Sequence, residues 1–156
     1  MADKMDNNTD DVNNSGKCVF CDIAAGKIDN DKVIYEDENL VVFPDRRPAS
    51  MHHYLVVTKE HIRDAKHLNG SHIQIVEKMV NTGKQVLQNN GGNVDDIRMG
   101  FHWPPFHSVS HLHLHVISPQ SQMSFLPRGI FKVNSPWFVT PVWVLARLKR
   151  AAEGQN

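Results

Sequence analysis

The sequence predicts an α+β domain in which a five-stranded antiparallel sheet packs against one main helix, with a second helix near the C-terminus. Two observations favour this class. Short apolar runs rich in β-branched residues occupy the first part of the chain, and residues 73–87 then place apolar side chains three, four and seven positions apart, as on one helix face. Successive strands without alternating helices favour an antiparallel sheet with the helix on one face.

Three apolar runs predict the first three strands. The runs are 33–35, 40–43 and 54–58. Pro44 and Pro48 separate the second run from the third, because proline lacks the N–H group that a sheet requires. The residues between them are therefore predicted to lie on a loop that can reach a ligand, and they are Asp45, Arg46 and Arg47.

Both helices are predicted from their capping residues and apolar spacing. The main helix is predicted to begin near Ser71, a suitable N-cap, and to end at the Asn-Asn-Gly-Gly sequence of 89–92. Thr140 followed by Pro141 predicts the start of the C-terminal helix. Its apolar face is predicted to hold Val142, Leu145 and Leu148.

Length and composition predict one domain, since 156 residues with 40% apolar side chains suffice for a single core. The last two strands are predicted over 96–103 and 110–118. We expect a disordered acidic leader over 1–17, the domain itself over 18–118 and an extension with a short helix over 119–156.

Charge and hydropathy restrict the classes of partner. Seventeen basic and seventeen acidic residues give no net charge, which argues against a broad nucleic-acid or membrane-surface binder. No apolar run approaches the roughly 18 residues of a membrane span, and the polar start lacks a secretory pattern. The two cysteines lie in one Cys-Val-Phe-Cys unit, which does not indicate a disulfide framework. We expect a soluble intracellular protein with a small partner.

Three alternating histidines carry the main chemical signal, and they are His111, His113 and His115. On a strand they would share one face at a spacing of roughly 6.5 to 7 Å, while the intervening leucines face the core. A neutral imidazole is a nucleophile near pH 7 and its cation donates protons, so the row suits attack on phosphorus through a phosphoramidate. Solvated histidines on an edge strand and a zinc site remain alternative interpretations.

The sequence around these histidines resembles the histidine triad superfamily. "HLHLHV" preceded by Ser108 carries the resemblance together with "VIYEDENLVVFPD" and "HHYLVVTKEH", so that it extends from Cys18 to Ile117. The stretch "GFHWPPFHSVSHLHLHVISP" is similar to the nucleotide-binding (Hint) branch and to the catalytic domain of aprataxin. The resemblance implies a HIT-like fold and a nucleotide hydrolase.

The resemblance also implies roles for individual side chains. His113 is implied as the nucleophile, which would attack the α-phosphorus and carry the nucleotide as an adenylyl-histidine. His111, His115 and His53 are implied to orient that ring and to bind phosphate oxygens. Ser108 is implied to hydrogen-bond the leaving group.

The nucleotide is implied to contact further residues. Asp45 matches the carboxylate that holds the ribose hydroxyls, and Arg46 adjoins it. Phe20 and Ile23 match the apolar residues that sandwich the base, although both also suit an ordinary core. His107 is expected to contact the nucleotide as well.

Two positions depart from the pattern of the nucleotide-binding branch. His107 stands where the branch has glutamine, and His102 stands where it has asparagine. Both positions lie on the expected leaving-group side. Because an imidazole still donates a hydrogen bond, we expect an altered rate or leaving-group preference and retained chemistry.

Cys18 and Cys21 form half of a metal site. Some members of the superfamily complete such a pair with the equivalents of His53 and His111, which implies a structural zinc ion in a closed shell of four ligands. The alternative also stays open that the cysteines are small buried side chains and that His111 serves the active site. Catalysis is expected to require no cofactor.

Three functions follow as hypotheses. The leading one is an adenosine 5'-monophosphoramidase that acts on AMP phosphoramidates and related acyl-adenylates, as a homodimer or larger homo-oligomer in the cytoplasm and nucleus, with no membrane partner. The second is an aprataxin-like DNA-adenylate hydrolase, against which stand the neutral charge and the lack of any cysteine after Cys21 for a trailing zinc finger. The third is a non-catalytic nucleotide sensor or scaffold.

Overall fold

A computed structural model describes residues 18–154, so the predicted acidic leader lies outside the described residues. We number the elements in chain order. The helices are α1 (Val19–Ala24), α2 (Ile73–Asn89), α3 (Phe125–Ile130) and α4 (Pro141–Glu153), and the strands are β1 (Tyr35–Glu36), β2 (Leu40–Pro44), β3 (His52–Thr58), β4 (Arg98–His102), β5 (His113–Ser118) and β6 (Phe138–Val139). Within this range, no helix is both long enough and apolar enough to cross a membrane.

The strands form one antiparallel sheet in the order β1-β2-β3-β5-β4-β6. The predicted α+β class and antiparallel sheet are confirmed, but the predicted number of five strands is wrong. The sixth strand, β6, comes from the C-terminal extension and pairs with Phe101 and His102 of β4. It has only two residues, which is too short for a periodic pattern to reveal.

Helix α2 covers one face of the sheet, and β5 shows how its sequence selects the faces. Val56 of β3 lies opposite Leu114 of β5, and both are fully buried in the core beneath α2. Gly83 of α2 allows close packing, because a Cβ atom there would lie only 2.8 Å from Val116. Leu114 and Val116 of β5 therefore point to α2, and the histidines between them must point to the other face.

Helix α1 covers part of that other face. Phe20 and Ile23 of α1 pack against Phe43, Leu55 and Val57 of the sheet in a second apolar cluster. Leu55 and Val57 are paired with His115 and His113. The short helix α1 therefore lies beside the histidines.

The predicted start of α4 is confirmed, whereas that of α2 is shifted by one residue. Helix α2 begins at Ile73, with His72 instead of Ser71 at the N-cap position, because the turn Gly70–His72 precedes it and Asn69 accepts a hydrogen bond from the Ser71 N–H at 2.9 Å. Helix α4 begins at Pro141, with the Thr140 hydroxyl accepting from the Trp143 N–H at 3.2 Å.

The predicted buried face of α4 is partly wrong. Leu148 is buried as predicted, but Val142 is 77% exposed and Val144 is buried in its place. Helix α4 packs on α2, and Val144 and Leu148 share one core with Val76 and Met79 of that helix. The apolar face of α4 therefore runs through 144 and 148, which are one helical turn apart.

Candidate active site

His113 and His115 lie on β5 beside an open cleft of about 390 Å³. The apolar part of the cleft is lined by Val19, Phe20, Ile23, Phe43, Leu55 and Val109, and the polar part by Asp29, Lys32, Asp45, Arg46, Arg47, Ser108, His113 and His115. The structure thus brings together the residues expected to hold the base, the ribose and the phosphate. A cleft with an apolar wall and a few converging polar groups is suited to a small ligand.

His113 is held in one tautomer by the backbone. Its Nδ1 lies 2.6 Å from the carbonyl oxygen of His111, so Nδ1 carries the hydrogen and donates it, which leaves Nε2 with its lone pair. The Phe20 ring packs edge-on at 5.1 Å between centroids and limits rotation of the imidazole. Burial lowers the pKa of His113 to about 4, so the ring is neutral at pH 7. A neutral imidazole with a free Nε2 is a nucleophile.

A chain of hydrogen bonds sets the tautomer of His115. The Ala49 N–H donates to Nδ1 of His53 at 3.0 Å, so the hydrogen of the neutral His53 ring is on Nε2. That Nε2 lies 2.9 Å from Nδ1 of His115 and donates to it. The hydrogen of His115 is therefore on Nε2, which is buried and has no hydrogen-bond partner among the described residues. This N–H is available to a ligand beside His113, whose ring centroid is 5.0 Å away.

Asp45 lies next to this chain of hydrogen bonds. Its Oδ2 is 3.4 Å from Nε2 of His53 and 3.8 Å from Nδ1 of His115, while its Oδ1 accepts the Arg47 N–H at 2.8 Å. Burial nevertheless lowers the pKa of His53 to about 4, although the Asp45 charge acts in the opposite direction. Burial also holds the pKa of His115 well below its usual value, and the neighbouring imidazoles add to that effect. The imidazoles of His53 and His115 are therefore neutral near pH 7.

The two positions that depart from the branch pattern line a second, smaller cavity, which shares His113 with the cleft. His107 does not line the cleft itself. Its ring instead lines a separate cavity of about 10 Å³ with His102, His111 and His113, a volume that suits about one water molecule. Nε2 of His107 is 3.1 Å from the Ser110 hydroxyl, and its buried Nδ1 has no partner within residues 18–154. The next two residues along the chain, Ser108 and Val109, do line the cleft.

His102 packs against the active site without lining the cleft. Its ring lies edge-on to His115 with 5.0 Å between centroids, and its Nε2 donates to the Ile130 carbonyl at 3.1 Å. Burial lowers the pKa of His102. His102 is therefore placed to support the ring of His115 by packing.

His111 departs most from its predicted position. It precedes β5, which begins at His113, because the Leu112 N–H bonds to the Ile62 carbonyl at 2.7 Å and leaves the β3 ladder. Nε2 of His111 donates to the Thr58 carbonyl at 2.7 Å, which leaves Nδ1 as an acceptor. The prediction that all three histidines share one strand is therefore wrong, although the carbonyl of His111 still orients His113.

Nδ1 of His111 belongs to a second cluster, in which four donor atoms lie within 4.8 Å of one another. The members are Cys18, Cys21, His61 and His111. The predicted ligand His53 is wrong, because its ring takes part in the active-site chain, and His61 occupies its place. Nδ1 of His61 is 3.2 Å from Sγ of Cys21 and 3.2 Å from Nδ1 of His111.

The donor set and its spacing fit zinc. Zn–S bonds of about 2.3 Å and Zn–N bonds of about 2.0 Å in a tetrahedron place neighbouring donors roughly 3.3 to 3.7 Å apart. Sγ of Cys18 and Sγ of Cys21 each lie 3.4 Å from Nδ1 of His111. Burial, with the neighbouring Cys18, raises the pKa of Cys21 to about 12, so the thiol needs a cation to become a thiolate.

Sequence reasoning missed several residues of both sites. His61 lies on the loop after β3, 40 residues from Cys21, and no local spacing connects them. Its only signal is its place in "HHYLVVTKEH", the same motif that contributes His53. Asp29, Lys32 and Arg47 line the cleft from loops, where charged residues are too common to indicate a site.

Comparisons with known proteins agree with this geometry. Residues 17–130 match the family described as scavenger mRNA decapping enzyme C-term binding. A Xenopus tropicalis protein named adenosine 5'-monophosphoramidase HINT3 is 50% identical over 124 residues, which are 79% of this chain and 81% of the relative. Aprataxin of Ciona intestinalis is 28% identical over 124 residues, which are 78% of this chain and 31% of the relative.

A solved structure has the same fold. The HIT family hydrolase of Legionella pneumophila superposes with a TM-score of 0.63 and 30% sequence identity, covering 70% of this chain and 98% of the other. The matching family, the extent of the identity and the shared fold lead to one conclusion. This chain belongs to the histidine triad superfamily.

Proposed function

We propose that this protein is a nucleotide-binding hydrolase, an adenosine 5'-monophosphoramidase that cleaves the P–N bond of AMP phosphoramidates and the corresponding P–O bond of related acyl-adenylates. The observation that carries the proposal is the neutral His113 ring, whose Nδ1–H is bound to the His111 carbonyl and whose Nε2 is free beside the cleft. The name of the 50% identical Xenopus relative supports the substrate class.

The cleft supports binding of the nucleotide in one orientation. Phe20 and Ile23 form an apolar wall of the cleft on which a purine can stack. Both side chains are buried. Asp45 supplies carboxylate lone pairs that accept hydrogen bonds from ribose hydroxyls. The α-phosphate then lies beside His113, where Nε2–H of His115 can donate to one of its oxygens.

The first chemical step transfers the nucleotide to the enzyme. The lone pair on Nε2 of His113 forms a bond to the α-phosphorus, and the P–N bond breaks with its electron pair going to the leaving amine, which takes up a proton from solvent. The Ser108 hydroxyl faces the cleft and can hydrogen-bond that amine. His115 donates to the phosphate oxygens as their charge grows, and the His111 carbonyl stabilises the positive charge on the substituted His113 ring.

The second step releases the product. Water attacks the phosphorus of the adenylyl-histidine and gives up a proton to solvent, the bond to Nε2 breaks with its electron pair returning to His113, and AMP leaves. Two easier displacements thus replace one difficult displacement. Each step uses only side-chain and backbone groups of this chain, together with water.

Hydrolysis assays with matched variants test the proposal. We expect the wild-type protein to release AMP from adenosine 5'-phosphoramidate, and His113→Ala to do so at a rate lower by about 10⁴-fold. His52→Ala is the control, because His52 lies on the same sheet and bonds Tyr54 but does not line the cleft. Turnover by His113→Ala at the wild-type rate would refute the mechanism.

An aprataxin-like DNA-adenylate hydrolase is the second candidate, favoured by the 28% identity to the Ciona aprataxin. The chain spans about a third of that relative, has no cysteine after Cys21 and carries no net charge. Cleavage of adenylated nicked DNA with little activity on the phosphoramidate would support this candidate. AMP binding without either reaction would support a nucleotide sensor.

We further propose that Cys18, Cys21, His61 and His111 hold a structural zinc ion. Four protein ligands would fill the tetrahedral shell, so the metal would stabilise the fold and take no part in catalysis. Metal analysis of protein purified without added zinc should find about one zinc per chain. His61→Ala should lower that content, whereas His53→Ala should retain it, and the opposite result would restore the ligand set predicted from sequence.

We also propose that the protein is a homodimer or larger homo-oligomer located in the cytoplasm and nucleus. The resemblance to the nucleotide-binding branch supports the assembly, and exposed apolar side chains such as Phe125 and Leu126, at 93% and 70%, offer contact surface. Light scattering during gel filtration should give a mass of at least two chains. A mass of one chain would contradict the proposal.

A further inference from the structure

Two adjacent arginines line the same cleft as His113. Arg46 and Arg47 lie on the loop between β2 and β3, and both are exposed. Neither side chain forms an ion pair or a hydrogen bond with any other residue in the range 18–154. Guanidinium groups that stabilise a fold are normally paired, so these two are available to a ligand in the cleft.

The backbone that carries the arginines is fixed to the active site. The Asp45 N–H donates to the His53 carbonyl at 2.9 Å, the Arg47 N–H to Oδ1 of Asp45 at 2.8 Å, and the Ala49 N–H to Nδ1 of His53 at 3.0 Å. The loop is therefore bound at both ends and in its middle. The two side chains start from positions set relative to Asp45 and the imidazoles.

The charged side chains around the cleft leave one positive charge in excess. On another wall, Lys32 pairs with Asp29 at 3.4 Å. Asp45 is the remaining carboxylate, and its single negative charge stands against the two positive charges of Arg46 and Arg47. The α-phosphate of a bound nucleotide is served by His113 and His115, so it does not need the arginines. A second anionic group on the substrate could pair with the arginines.

We propose that Arg46 and Arg47 bind a phosphate on the ribose, so that the favoured substrates are phosphoramidates of adenosine 2',5'- or 3',5'-bisphosphate. This inference rests on the proposed function, in which Asp45 holds the ribose. A carboxylate binds a free ribose hydroxyl, whereas an arginine next to it accommodates a phosphate in that place. Guanidinium groups recognise phosphate through two parallel charge-assisted hydrogen bonds.

Calorimetry with bisphosphates tests the proposal without any turnover. Adenosine 2',5'-bisphosphate, adenosine 3',5'-bisphosphate and AMP are titrated into the wild-type protein at low and high salt. We expect at least one bisphosphate to bind about tenfold more tightly than AMP at low salt, with the difference shrinking at high salt. The double variant R46A/R47A should bind all three alike. R150A, which removes an exposed arginine of α4 outside the cleft, should keep the preference.

Kinetics with the corresponding phosphoramidates provide the second arm. The ratio of kcat/KM for the bisphosphate substrate to kcat/KM for the AMP substrate should exceed one and fall about tenfold in R46A/R47A. The lysine variant R46K/R47K should keep part of the ratio, because the charge remains while the planar fork is lost.

The possible failures are distinguishable. Equal affinity for AMP and both bisphosphates would overturn this inference while AMP phosphoramidate hydrolysis still stood. The inference would also be overturned if the wild-type protein, but not R46A/R47A, favoured AMP phosphoramidates whose phosphate is on the leaving group instead of on the ribose. Tight bisphosphate binding without any hydrolysis would support the ribose subsite and contradict the proposed function.

Discussion

His111 and His113 are two residues apart, yet they belong to clusters of different character. The backbone occupies Nε2 of His111 through the Thr58 carbonyl and Nδ1 of His113 through the His111 carbonyl. The free nitrogen of His111 therefore faces two thiols and a second imidazole, and the free nitrogen of His113 belongs to a ring that lines the cleft. In each histidine a backbone carbonyl binds one ring nitrogen. The position of the other nitrogen then decides whether the histidine can bind a metal or attack a ligand in the cleft.

The largest effect should separate the two histidines directly. We expect His113→Ala to lose activity by about 10⁴-fold while it keeps the proposed zinc, because its ring is not among the four proposed ligands. His111→Ala should lose zinc and stability first. Turnover, metal content and thermal unfolding measured on both variants check this. Equal loss of metal from both variants would contradict the assignment of the two histidines to different sites.

Loss of the proposed metal should have the next largest effect. Cys18→Ser or chelation should lower the unfolding temperature by many degrees, because binding of a structural metal contributes directly to folding. Activity should fall as well, since His111, whose ring belongs to the cluster, also supplies the carbonyl that orients His113. Thermal unfolding with and without chelator checks this, and an unchanged unfolding temperature would count against a structural metal.

Replacement of His53 should affect catalysis through His115. His53→Ala removes the donor that sets the tautomer of His115, so we expect kcat to fall by roughly 10²-fold with little change in KM. His53→Gln, which can still accept from Ala49 and donate to His115, should recover part of kcat. If alanine and glutamine variants are equally impaired, His53 acts through packing alone.

The depressed pKa of His53 makes the fold sensitive to acid. The folded pKa of about 4 lies below the unfolded value of 6.5, so the unfolded state binds more protons between these pH values. The contribution of the neutral His53 to the free energy of unfolding is fully present above pH 6.5 and is lost as the pH falls towards 4. The loss is on the order of 3 kcal/mol. Urea unfolding of wild type and His53→Ala at pH 7 and 4.5 checks the slope, which should be smaller in the variant.

His107 should have the smallest effect. Its ring lines the small cavity behind His113 and does not touch the nucleotide cleft. We expect His107→Gln to change the rate by less than about tenfold and to shift the preference among amine and acyl leaving groups. Identical profiles over several leaving groups would show that this position does not tune the reaction.

Much of the arrangement was predictable because it follows from short-range patterns. The alternation of Leu112, Leu114 and Val116 with histidines places the latter on the face opposite α2, and Pro44 and Pro48 predict the loop that carries Asp45. Local periodicity records which face a side chain takes.

The remainder depends on contacts between distant segments. His61 joins Cys21 only because β3 brings its loop beside α1, and His111 leaves the strand because the Ile62 carbonyl captures the Leu112 N–H. Strand β6 is a two-residue pairing made by the extension. Such choices among partners are made in three dimensions, and no spacing along the chain records them.

Trapping of the covalent intermediate tests the central claim most directly. A single turnover of adenosine 5'-phosphoramidate labelled at the α-phosphorus is quenched and the labelled peptide is mapped by mass spectrometry. The account predicts the label on His113. Label on another residue, or hydrolysis with no labelled protein, would contradict it.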